Sequence, residues 1–199
     1  MQPRAAVLAG SNDAIQAGDY ESILETWTHS DTIYAGLDNK ATVAATFHSS
    51  EFRKAFAVAF PDIYGHGGNI TKRELVELSG GVEQYHNFFI TLFTPQVRWN
   101  DLSRSDSIWR VQLNTSNGVA ADPAEILTIN IDQNLRSVYS HMTRFDKAYL
   151  IRFPLVDTFG NVLIDDTTKE FSLRVASALG VATLTWKLSA PKKTMNHPL

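Results

Sequence analysis

Between residues 108 and 114 the chain reads IWRVQLN, with apolar Trp109, Val111 and Leu113 alternating with polar Arg110, Gln112 and Asn114. A two-residue period sends the first set to one face of an extended segment and the second to the other. This stretch is thereby constrained to a half-buried β-strand. The same short period recurs. FFITLF (88–93) alternates Phe88, Ile90 and Leu92 against Phe89, Thr91 and Phe93, two largely apolar sets, which predicts a strand covered on both faces. Strands are also predicted over 126–131 and 149–155. Pro154 lacks a ladder donor, which places the end of the latter at a sheet edge. FSLRV (171–175) and TLTWKL (183–188) pair across SALG as a hairpin, with Phe171, Leu173, Val175, Leu184, Trp186 and Leu188 inward.

The first part of the chain mixes periods. ESILETWTHSDTIY (21–34) is rich in β-formers (Ile23, Trp27, Thr28, Ile33, Tyr34) and predicts a strand, followed by the turn GLDN and a second strand over 41–47. From Ser49 the spacing changes. Phe52, Ala55, Phe56, Ala59 and Phe60 stand at i, i+3, i+4, i+7 and i+8, a helical stripe with a serine N-cap before it and Pro61 at its stop. Thr71 and Glu74 form a capping-box pattern for a second short helix closed by Gly80 and Gly81, so 49–81 reads as a helical insertion. Leu135, Val138, Tyr139 and Met142 predict a short crossover helix. About eight short strands with no regular strand–helix alternation predict a mainly β fold, an antiparallel immunoglobulin-like sandwich. It occupies 19–188 as a single domain, between a flexible lead (1–18) and a flexible tail (189–199).

At 199 residues such a domain builds a core without metal or disulfide staples. The formal net charge is −3 and the charges are scattered, so no basic stripe is offered to phosphates and nucleic acid is not an expected partner. Cysteine is absent, which excludes a disulfide scaffold, a thiol nucleophile and cysteine-ligated zinc. No apolar run approaches the roughly 18 residues of a spanning helix. MQPRAAVLAGS is too short in apolar residues for a signal-peptide core.

Little in the chain points to a reaction. The six histidines show no metal-ligand spacing, and no G-x-S-x-G, G-x-G-x-x-G or P-loop is present. Glu83 and His86 lie three apart, but read better as residues at the start of a strand than as an acid–base pair. GHGGN (65–69) is similar to an oxyanion loop. Without a nucleophile elbow, its glycines are better explained as a turn between helices. Asp157, Asp165 and Asp166 fit no calcium loop and read as turn residues. No catalytic residue, metal site or cofactor is therefore expected. WNDLSRSDSIWR (99–110) reads as a polar loop between two core anchors, in which Asn, Asp and Ser side chains satisfy turn backbone. The rival reading gives Trp99, Asn100 and Asp101 a binding role, with Trp99 as a sugar-stacking or partner-binding platform.

Three stretches, YESILETWTHSDTIY with FHSSEFRKAF, then QYHNFFITLFTPQVRWNDLSRSDSIWRVQL, then KAYLIRFPL, resemble a family of uncharacterised predicted bacterial lipoproteins of the cell envelope. Trp-Asn-Asp-Leu (99–102) and Ser-Ile-Trp-Arg (107–110) are the most specific elements. The resemblance supplies no catalytic residues. It implies an exported protein, periplasmic or associated with the outer membrane and tethered by an N-terminal lipid. This sequence has no cysteine to acylate, so an anchor would belong to a start missing from the sequence, or this member is not lipidated. The expected function is a non-enzymatic accessory or structural protein acting through protein–protein contacts. A carbohydrate or small-ligand binding module using the Trp99 loop is the alternative. A hydrolase assembling His86 or His141 with a distant carboxylate comes third.

Overall fold

The computed structural model describes residues 16–60, 84–165 and 167–188. They form β1 (Thr28–Ala35), β2 (Asp38–Phe47), β3 (Tyr85–Phe93), β4 (Arg110–Thr115), β5 (Ala120–Ala121), β6 (Glu125–Ile129), β7 (Lys147–Pro154), β8 (Glu170–Ser177) and β9 (Gly180–Lys187). Three helices join them: α1 (Tyr20–Trp27), α2 (Ser50–Ala59) and α3 (Gln133–Val138). The strands make two antiparallel sheets, β1-β2-β3-β7-β6 and β5-β4-β8-β9. The mainly β, two-layered expectation is met. An immunoglobulin domain sends its third strand to the opposite sheet, whereas β3 here stays beside β2.

The strand expected over 21–34 is only half strand. Tyr20, Leu24 and Trp27 stand at i, i+4 and i+7 and are all buried, so the segment satisfies its core by coiling first, despite the β-formers Ile23 and Trp27. The Tyr20 hydroxyl donates to the Val138 carbonyl (2.8 Å), and Trp27 Nε1 donates to Glu51 on α2 (2.9 Å), which fixes the helix at both ends. In α2 the Ser49 side chain accepts the Phe52 amide, as the N-cap pattern requires, and Phe52, Ala55 and Phe56 are buried. The rest of the expected insertion (61–81) lies outside the described residues, as do 1–15 of the expected lead and the tail. Residues 17–19 form a single 3-10 turn.

The layers meet through aromatic rings. Phe88 of β3 lies 6.1 Å from Phe171 and 5.4 Å from Trp186, ring to ring. Phe171 and Trp186 stack at 5.2 Å, and Phe47 meets Phe171 at 4.9 Å. Such pairs contribute about 0.5–1.5 kcal/mol each beyond area burial. The other face of β3 is covered too: Phe89 stacks on Tyr139 at 3.7 Å, and every residue from His86 to Leu92 is buried. β7 is an interior strand, but its end is locally an edge, as expected: Pro154 is the last residue, paired in register with Tyr85 beyond the final β6 pair at Arg152, so no ladder donor is missed on the β6 side.

The two sheets also approach along their edges at β1 and β9. The Thr183 amide donates to Asp31 Oδ2 (2.8 Å), and Trp186 Nε1 donates to the Trp27 carbonyl (3.0 Å). Gly180 has φ +140°, and a Cβ there would lie 2.5 Å from Ile33 Cγ2. No helix among the described residues is long and apolar enough to cross a membrane.

Candidate functional site

The loop between β3 and β4 is organised by its own side chains. Val97–Trp99 make one 3-10 turn. Asp101 Oδ1 accepts the amide and hydroxyl of Ser103 (both 2.9 Å) and the Arg104 amide (3.2 Å). The Ser107 hydroxyl donates to the Asp101 carbonyl (2.6 Å) and accepts the Trp109 amide (3.1 Å). These bonds replace a regular ladder, because turn backbone needs partners that short polar side chains supply. Trp109 is buried as an anchor, and its indole ties back to the Trp99 carbonyl.

Trp99 is different. It is half-buried and borders an open cleft of about 260 Å³ with Arg98, Asp101, Arg104, Asp106 and Ile108. The Arg98 guanidinium stacks over the indole, 4.7 Å from the ring centroid. Also lining the cleft, Arg104 forms a bidentate pair with Asp106, Nε to Oδ1 at 2.7 Å and Nη2 to Oδ2 at 2.8 Å. Burial works against ionisation of Asp101. The Ser103 hydroxyl and amide, Lys147 and the Arg104 amide outweigh it and hold this carboxyl below its ordinary range. Lys147 Nζ stands 3.5 Å from Asp101 Oδ2. Of the three residues given a binding role, Trp99 and Asp101 line the cleft. Asn100 does not: its side chain is buried, with Oδ1 unpartnered. Arg98, Arg104, Asp106, Ser107 and Ile108 also line the cleft and were not singled out for binding by the sequence; for Arg98 the Arg-Trp adjacency was the available signal.

The remaining candidates do not converge. His48 Nε2 lies 2.9 Å from the Tyr139 hydroxyl, its ring stacks on Phe52 at 5.1 Å, and its Nδ1 is buried without a partner. Burial, with the Arg53 charge adding, pushes His48 down to about 3 and His86 down to about 4. Burial raises the Tyr139 hydroxyl well above its usual range, with Tyr20 adding. These imidazoles are therefore neutral at neutral pH. His86 lies on β3 facing Phe47 with its Nε2 unpartnered among the described residues, and both ring nitrogens of the buried His141 lack a hydrogen-bond partner there, while the Asp146 and Glu21 charges act on His141 against the effect of its burial. Glu83 and GHGGN lie outside the described residues.

Asp157 accepts the amides of Phe159 and Asn161 (both 2.8 Å), and Asp165 accepts Thr167 and Thr168 groups, which are turn roles. Asp166 lies outside the described residues, among which no three His, Cys, Asp or Glu are grouped to hold a metal.

One end of the fold gathers exposed apolar side chains. Register pairs Thr42 with both Thr32 and Phe93, so the β1–β2 turn with Tyr34 and Leu37 projects beyond the end of β3. Exposed Phe145 lies 6.2 Å from Phe93, exposed Val97 and Ile108 belong to the following loop, and exposed Val181 enters beside Gly180 and Ile33. Phe159 and Val162, in the loop after β7, lie toward the opposite end.

No family model matches the chain, and no curated protein or solved structure matches it either.

Proposed function

We propose that this protein is a non-enzymatic accessory protein of the bacterial cell envelope, periplasmic or associated with the outer membrane, that works by contact with a protein partner. The observation that carries the proposal is the gathering of Tyr34, Leu37, Val97, Ile108, Phe145 and Val181 at one end of the fold, beside Trp99 and Arg98. Apolar and aromatic side chains with arginine are the usual anchors of a protein interface. Scattered exposed apolar residues need no explanation, but a cluster does. The envelope address rests on the resemblance to predicted lipoproteins, and a lipid tether is part of the same proposal.

The carbohydrate reading draws on the same loop, but Arg98 already covers one face of the Trp99 indole. Photo-crosslinking side chains placed at Leu37 and Val97 test the proposal in native cells, with Phe159 as the control position. One envelope protein captured from the first two positions and not from the third is the expected result. Equal labelling at all three, or none, would overturn it.

A further inference from the structure

The polar groups of the Trp99 cleft are nearly all engaged within the loop. Asp106 is held by Arg104 through two bonds. Asp101 receives Ser103, Arg104 and Lys147. The Ser107 hydroxyl both donates and accepts. Arg98 is the exception: it is exposed, its contact is the face of Trp99, and among the described residues no carboxylate pairs with it. A guanidinium held over an indole keeps the N–H groups of its planar edge available, and such a fork takes a carboxylate by two parallel bonds. The other available surface is apolar, from Ile108 and the Trp99 ring, with exposed Val97 next to Arg98 in sequence. A volume of about 260 Å³ falls below the roughly 300–1,000 Å³ of small-molecule pockets and suits one residue of a polypeptide. A sugar would need donors and acceptors spread over several side chains, whereas Arg98 is the one charged cleft residue without a charged partner among the described residues.

We infer that the Trp99 cleft receives a carboxylate carried beside an apolar side chain on a partner polypeptide, with Arg98 as its counter-charge. The shared chemistry has two sources, the terminal carboxylate of a polypeptide and an Asp or Glu next to an apolar residue. The inference rests on the protein-partner reading above and names what that partner presents.

The test titrates ¹⁵N-labelled protein with four probes while following the Trp99 indole N–H, assigned through Trp99→Phe. N-acetyl-leucine carries a terminal carboxylate, N-acetyl-Glu-Leu-amide a side-chain one, N-acetyl-leucinamide none, and glucuronate a carboxylate on a sugar. Saturable shifts at millimolar concentration are expected for one or both of the first two, and their ratio identifies the source. Arg98→Gln weakens that binding roughly tenfold or more, and Arg98→Lys less, because a charge remains without the fork. Equal binding of N-acetyl-leucinamide, an unchanged Arg98→Gln variant, no binding of either peptide acid, or binding of glucuronate alone would each overturn the inference. Crosslinks retained without probe binding remove only this inference. Probe binding without crosslinks removes the partner reading and leaves a carboxylate site.

Discussion

Trp109 Nε1 donates a 2.6 Å hydrogen bond to the main-chain carbonyl of Trp99, so an indole that is itself buried holds the base of the loop that frames the cleft. Trp109→Phe keeps an aromatic ring in the core and removes the donor. The variant is expected to lose about 1–2 kcal/mol in urea unfolding and to expose the 100–107 segment to faster proteolysis. Unchanged proteolysis would show that Asp101 and Ser107 hold the loop by themselves.

His48 and Tyr139 form a buried pair, and removing one partner strands the other. Tyr139→Phe leaves His48 Nε2 without its 2.9 Å contact and is expected to destabilise by about 1–3 kcal/mol. Adding His48→Phe removes the stranded polar atom, so the double variant should unfold at higher urea than the two separate losses would sum to. Strict additivity would argue that the contact contributes nothing.

Acid should weaken the fold earlier than its carboxylates alone dictate. The ordinary histidine value is 6.5, while His48 and His86 stand at about 3 and about 4 in the folded protein. Below 6.5 the unfolded state takes up protons that the native state refuses. Stability is thus full above that value and declines as pH falls, by up to about 1.4 kcal/mol per pH unit for each histidine, toward about 4 for His86 and about 3 for His48. Melting temperature followed from pH 7.5 to 5 should drop, and His86→Gln should flatten that slope relative to the parent protein. A pH-independent melting temperature over this window would contradict the assignment.

Gly180→Ala should be among the most harmful single-methyl changes in the protein. Both its φ of +140° and the 2.5 Å approach to Ile33 Cγ2 oppose a Cβ, and a β-branched neighbour has few rotamers with which to yield. The expected loss is about 1–3 kcal/mol by thermal or urea unfolding. Gly118→Ala provides the comparison: its φ is +79° but nothing stands within 4 Å, so it should lose less.

Strands with one buried face were readable because their alternation survives in the residues themselves. Trp109, Val111 and Leu113 are buried, and the 171–188 hairpin forms with the expected inward set, apart from the partly buried Leu188. The stretch 21–34 misled because Trp27 and Thr28 favour strands individually, while the spacing of Tyr20, Leu24 and Trp27 decides the first half as a group. Pro154 was informative about its strand end alone: its missing donor falls where β6 has already ended, while the rest of β7 is paired on both sides. In the loop, Trp99 and Asp101 were recognisable as candidates. Asn100 was not separable from them: it is buried, and one of the groups that meet its main chain, the Tyr149 hydroxyl donating to its carbonyl (3.5 Å), comes from far along the sequence. Arg98 over Trp99 is a contact between neighbours in sequence, yet its importance appears only when Arg104 and Asp106 are seen to neutralise each other.

The carboxylate of Asp31, set across the seam to meet the Thr183 main chain, bears on how crowded molecules of this protein behave toward one another. An outermost strand with unanswered amides is a template on which a second copy can lay its own backbone. Here the ninth strand turns that rim inward, toward a neighbour from the same molecule that carries a negative charge. Intermolecular ribbon growth from this side would first have to pull the amide away from the acid, which guards this border of the fold against fibre formation.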